Sequence, residues 1–395
     1  MMKKAKKIKL IINKTNFNTF EFWLRRCKTL YNVCIDQYIY YYQGTGKTLN
    51  KYVQKKELTL LKKEDPSWND IPNKSLQEIV FRVATSFKNF FNGFGFPKYK
   101  TNDNFTSIFF AKIDVRIKNG LVYLPKIKNG IKGVEEFPND FTGVRLKKEN
   151  DDYFLVFVYN TTPNLLENSN NDVVGCDLGL KSLMVDSNGY EVKRFSTKLI
   201  KKYEARIVEL NKSLSSKKLT SKRRKKVKKQ LNKTHLRLKN TRYDYVQKES
   251  TKYIKQVKED TIVVGKFEVK KLMESDNTKK QKNFSRSYSN AAISIFTFLL
   301  EYKAKQCGKT FEKVNESYTS KTCSCCLHVK HNLTVKDRVF NCDWCGVSLP
   351  RDENGSINIK RVYNGTFKPI GIKLKDEKNK SCLAQAVVNS NNSSV

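Results

Sequence analysis

Apolar residues recur every three or four positions across 17–43, at Phe20, Trp23, Leu24, Cys27, Leu30, Tyr31, Cys34, Ile35 and Tyr38. That is the period of an amphipathic helix. The spacing returns across 73–92, at Leu76, Ile79, Val80, Val83, Phe87, Phe90 and Phe91, and stops at Gly93, Gly95 and Pro97. Before the first helix, Ile8, Leu10 and Ile12 alternate with polar residues, which predicts an edge strand over 4–14. Pro66 and Pro72 punctuate a loop between the helices. From 104 to 160 the texture changes to short β segments at 105–113, 120–124, 143–147 and 153–159, separated by turns. These predict a small antiparallel barrel or sheet, which the first strand could join. Residues 161–172 are polar, Pro-containing and Asn-rich, and read as a linker.

A second pattern follows the linker. Segments 173–176 and 182–186 read as a β-hairpin. Two long charged helices are expected at about 196–233 and 236–258, paired as a hairpin. A β-branched strand at 261–264, a helix at 288–306 with Ala292, Ile295, Phe296, Leu299 and Leu300 on one face, and a strand at 310–314 complete it. The tail from 366 is of low complexity.

Charge narrows the function. The 395 residues, enough for two to three domains, carry 77 Lys plus Arg against 38 Asp plus Glu, a formal net charge of +39. Such an excess repels itself unless a polyanion neutralises it, so nucleic acid is the expected partner rather than a set of Lys-rich solvated faces. Ten Lys or Arg and no acid fall in 217–233, including Arg223, Arg224, Lys225, Lys226, Lys228 and Lys229. Aromatic residues interleave with charge at Tyr31, Tyr38, Tyr40, Tyr41 and Tyr42 and at Phe87, Phe90, Phe91, Phe94 and Phe96, where rings serve either the core or base stacking. No apolar run is long enough to span a bilayer, and the basic start lacks the features of a secretory signal. The expected location is therefore cytoplasmic, with no membrane partner.

Two constellations carry chemistry. Cys323 and Cys326 form one C-x2-C knuckle, and Cys342 and Cys345, followed by Gly346, form another fifteen residues on. Four thiolates at this spacing suit a structural zinc ion. Cys325 is the expected spectator, and His328 and His331, between the knuckles, read as loop residues that could substitute as ligands. The second constellation is acidic. Asp177 ends the strand VVGCD and is followed by Gly179, and Asp352 follows the second knuckle in PRDENGSINI. Each alone suits a turn or helix cap. A two-metal phosphodiester nuclease, however, needs about three converging acids.

The order of these features, with TSKTCSCC at 319–326, LEYKA at 300–304, CDWCG at 342–346, Tyr31-Asn32 and GFPKYK at 95–100, resembles the transposon-encoded TnpB proteins. These are RNA-guided DNA nucleases related to the miniature type V CRISPR effectors. The resemblance implies an α+β multidomain chain. A wedge-type β-barrel would comprise 1–16 and 104–160, with a helical recognition lobe inserted at 17–103. An RNase H-like RuvC domain would follow at 173–306 and 350–365, with a zinc-finger nuclease lobe at 307–349 and a tail at 366–395.

Carried over residue by residue, the resemblance places the family's first and third catalytic acids on Asp177 and Asp352. Here Gly355 and Ser356 replace two alanines, and Pro350 replaces an acid. The middle glutamate falls on Gly265, followed by Lys266 instead of an acid. One oxygen donor is lost and a cation gained, which implies magnesium binding that is weak or absent. Glu268 or Glu301 are the candidates for rescue. The expectation is thus a protein similar to the nuclease-dead TldR group, repressing transcription by occupying its target. The alternative is an active nuclease using Glu268 or Glu301. Implied partners are a guide RNA and double-stranded DNA with a short flanking motif, contacted by Tyr31, Asn32, Lys98, Tyr99 and the 217–233 cluster.

Overall fold

A computed structural model of the chain describes residues 2–162, 172–266, 292–334 and 337–372. The chain divides into two units at residue 162, each with its own core. No described helix is long and apolar enough to cross a membrane.

The first unit is a seven-stranded antiparallel sheet with helices inserted after its first strand. The strands are β1 (Met2–Ile11), β2 (Ser107–Ala111), β3 (Arg116–Lys118), β4 (Leu121–Tyr123), β5 (Ile131–Gly133), β6 (Gly143–Glu149) and β7 (Asp152–Thr161), in spatial order β2-β6-β7-β1-β5-β4-β3. The first strand is therefore central and not an edge: it pairs with β7 along most of its length and with β5 at Leu10 and Ile11. Its lysines suggest an edge because their long side chains keep one face wet, while Ile8 and Leu10 are buried on the other.

Helices α1 (Lys14–Thr45), α2 (Lys51–Glu64) and α3 (Asn73–Phe91) lie between β1 and β2 in the chain and share one core with the sheet. Asn13 caps α1 by accepting from Asn16 N at 2.8 Å, and Gly46, at φ 66°, ends it. Helix α2 had no sequence signal, since only Gln54 and Leu58 of its fourteen residues are buried.

The second unit centres on a five-stranded sheet of β8 (Val173–Leu178), β9 (Ser182–Asp186), β10 (Glu191–Lys193), β11 (Thr261–Gly265) and β12 (Thr310–Val314), ordered β10-β9-β8-β11-β12. Strand β9 is antiparallel to both β8 and β10, whereas β11 runs parallel to both β8 and β12. Helices α4 (Thr197–Ser215), α5 (Lys222–Gln256), α6 (Ile293–Gln306) and α7 (Arg351–Tyr363) complete it, with β13 (Val339–Asn341) and β14 (Ser348–Pro350) forming a small ribbon.

The charged hairpin breaks at 216–221 and not near 234. Ser221 accepts from Arg224 N at 3.1 Å and starts α5 there, a hydroxyl cap embedded in a run of lysines. Helix α7 lies close on β8 at Gly175, where a β-carbon would stand 2.2 Å from Ser356 O and 2.6 Å from Lys360 N. That contact sets where Asp352 sits relative to Asp177.

Candidate functional site

Asp177 lies near the end of β8, Asp352 in the first turn of α7, and Glu316 two residues beyond β12. Burial first, and then the charges of Asp352 and Glu316, push the Asp177 carboxyl up to about 8, against Arg351 and the Leu178 N–H. Burial likewise raises the Glu316 carboxyl. Asp177 therefore senses two acids brought to it from elsewhere in the fold.

Glu316 was missed in the sequence, and the geometry explains its place. Gly265 ends β11 in parallel register with Val314. A β-carbon on Gly265 would fall 2.1 Å from Glu316 Oε2, so the Glu316 carboxylate occupies the space that a residue-265 side chain would need. An acid from just beyond the neighbouring strand thus reaches into the space beside Gly265. The available signal was Asn315-Glu316 directly after a strand, since sites gather at the carboxyl ends of parallel strands. Gly355 makes similar room: its β-carbon would stand 2.8 Å from Asp177 Oδ2.

The named rescue residues fare differently. Glu268 lies outside the described residues. Glu301 pairs with Lys305 and Lys313, each at 2.8 Å, and these lysines lower its carboxyl. Glu301 lines a cavity of about 270 Å³ with Gly265, Lys266, Phe298 and Lys313.

Hard divalent cations prefer oxygen donors, and three acids crowded enough to raise one carboxyl suit such an ion. Among the described residues, only the four cysteines place three or more donors within 4.8 Å of one another. The oxygens of the three acids are more widely spread than that.

The cysteine set fits zinc directly. Cys323 and Cys345 sulfurs lie 3.6 Å apart, and those of Cys326 and Cys342 3.5 Å. Tetrahedral thiolates at about 2.3 Å from zinc need similar separations. Cys325 is exposed. His328 stacks on Trp344 with ring centroids 4.3 Å apart, and His331 Nε2 meets Gly371 O at 2.7 Å, so neither histidine joins the set.

The residues suggested for nucleic-acid contact divide into pinned and open. Tyr31 is buried against Phe105. Asn32 accepts from Lys100 N at 2.8 Å and donates to Lys100 O at 3.0 Å, while the Tyr99 hydroxyl donates to Asp36 Oδ1 at 2.5 Å. These bonds fix 99–100 onto α1 and leave Lys98, Phe94 and Phe96 exposed. On α5, Arg223, Lys225, Lys226, Lys228 and Lys229 are exposed. Arg224 instead closes the turn by donating to Leu214 O and Lys217 O.

Residues 294–359 match the Cas12f1-like TNB domain family, and residues 156–276 match a family described as probable transposase, OrfB_IS605. A TnpB-like protein, L79, of Acanthamoeba polyphaga mimivirus is 28% identical over 53% of this chain. That match spans only 41% of the mimivirus protein's own length. A putative RNA-guided DNA endonuclease of Streptomyces pristinaespiralis is 24% identical over 80% of this chain and 76% of its own. Among solved structures, the mini-RNA-guided endonuclease CRISPR-Cas_phi3 superposes with a TM-score of 0.50 over 94% of both chains at 11% identity, a likeness of fold.

Proposed function

The chain belongs to the TnpB-like family, and from that premise we propose that it is an RNA-guided DNA nuclease whose acid set is Asp177, Glu316 and Asp352. A guide RNA pairs with the target strand, and the protein reads a short flanking motif and the shape of the heteroduplex. The β10-β9-β8-β11-β12 sheet supports an RNase H-like reading of the second unit. The observation that carries the proposal is the Glu316 carboxylate lying in the space a residue-265 side chain would fill.

Magnesium bound there would activate water and stabilise the leaving oxygen. The chain's own part is to present three oxygen donors from fixed elements and to release the Asp177 proton when a cation arrives. The cysteine set holds zinc as a structural ion, because four thiolates leave no open position.

A second reading keeps target occupancy without cutting. It is favoured by Lys266, a cation directly after Gly265 and lining the same cleft. Incubation with matched guide, target plasmid and magnesium decides between them. Linear DNA from the wild type and none from Glu316→Gln, with target binding kept, supports the nuclease. Binding without any cut product from the wild type supports occupancy.

A further inference from the structure

Helix α7 faces both sites at once. Asp352 stands in its first turn, and Asn354 and Asn358 follow on a face with no solvent exposure at either residue. Asn354 Oδ1 accepts from Ser324 N at 2.8 Å, and its Nδ2 donates to Thr322 O at 2.8 Å. Asn358 Nδ2 donates to Thr319 O at 2.9 Å and to Thr322 O at 2.7 Å. Thr319 in turn donates to Glu316 O, from its N–H at 3.2 Å and its hydroxyl at 2.8 Å.

One short run of chain thus begins with the acid Glu316 and reaches the thiolates Cys323 and Cys326. Of these hydrogen bonds, two lie within its own turn and four run to the helix that carries Asp352. The run also comes near Asp177, since a β-carbon on Gly355 would lie between Asp177 Oδ2 and Ser320 Oγ at 2.8 and 3.5 Å.

The joint is not built for stability alone. Among the described residues, Asn358 Oδ1 and Thr322 Oγ1 are buried and find no hydrogen-bond partner. Each unsatisfied buried polar atom costs folding free energy, so an apolar contact would hold the helix at lower cost. What the amides add over such a contact is register: they fix which residues of the run stand opposite which turn of α7.

We propose that Asn354 and Asn358 are positioning residues that couple the cysteine site to the carboxylate site, so that zinc held by the thiolates sets Glu316 beside Asp177 and Asp352. The inference rests on the three-acid reading above. Residues that orient ligands in this way typically change metal affinity 10–100-fold when removed.

The test uses the full chain loaded with zinc and probes the acids with manganese by electron paramagnetic resonance. Asn358→Ala is expected to keep its zinc, measured by elemental analysis, and to remain folded by circular dichroism, yet to weaken manganese binding about tenfold. Asn358→Ser, which retains one donor, recovers part of that loss. Cys345→Ser, made at an exposed ligand, is expected to lose zinc and weaken manganese binding as well.

Unchanged manganese affinity in Asn358→Ala, or in zinc-free Cys345→Ser, overturns the coupling. Failure of the nuclease reading looks different: the wild type then binds manganese no better than Glu316→Gln. In that case the coupling is decided by amide exchange across 316–322, which must rise at least tenfold in Asn358→Ala, and an unchanged rate refutes it.

Discussion

A β-carbon on Gly265 would stand 2.1 Å from Glu316 Oε2 and 3.1 Å from Glu316 Cβ, so the two positions cannot both carry side chains where they now lie. Gly265→Ala is therefore expected to displace Glu316 and lower the cleavage rate at least tenfold, with guide and target affinity unchanged in a gel-shift assay. The exchange Gly265→Glu with Glu316→Ser should recover activity that neither change gives alone. Full activity in Gly265→Ala would show that Glu316 is not an acid of the site. Asp177 makes a second prediction. Its carboxyl is raised to about 8, so without a divalent ion its charge opposes folding. That penalty is absent at pH below the unfolded value, grows as pH rises and is complete above about 8. In chelator, Asp177→Asn should raise the unfolding midpoint more at pH 8.5 than at pH 5, read by circular dichroism. Equal gains at both would contradict the burial of that charge. Asp177, Asp352 and the four cysteines could be singled out in the sequence because each lies in a short local motif. Glu316 was not, because its place depends on register between two strands separated by 44 residues of chain, 266–309.

At the scale of elements, legibility followed how much of each segment is buried. Helices α1 and α3 bury an unbroken stripe and were placed to within a few residues. Helix α2 buries two residues, so its periodicity is diluted by lysines. The break between α4 and α5 was hidden because Ser221 acts as a cap through a hydroxyl that composition alone does not distinguish from any other serine. The approach of α7 to β8 is an element-scale property that one residue controls. Gly175→Ala would drive a methyl into Ser356 O and Lys360 N, which are backbone atoms that cannot rotate away. It is expected to destabilise the protein by about 3 kcal/mol and to lower the midpoint of thermal unfolding. A midpoint within a degree of the wild type would mean that α7 can shift outward, and magnesium-dependent activity should then fall instead.

At the scale of the whole molecule, a formal charge of +39 makes salt the natural probe. Neutralising phosphates releases condensed counterions, so the logarithm of affinity falls linearly with the logarithm of salt concentration, by about 0.7–0.9 for each phosphate contacted. The exposed lysines of α5, Lys225, Lys226, Lys228 and Lys229, lie within one and a half turns of a helix whose first turns carry no acid. All four are exposed, so the fold is expected to survive their replacement by glutamine. If each meets a phosphate, the slope for guide RNA binding should flatten by about 3. Affinity at low salt should fall together with it. Arg224→Gln is the internal control, because that side chain spends its donors on Leu214 O and Lys217 O. It should loosen the α4–α5 turn, read as faster amide exchange there, while moving the salt slope by less than about one contact's worth. A slope unchanged by the quadruple substitution would place the nucleic acid elsewhere and leave this helix as a solvated face.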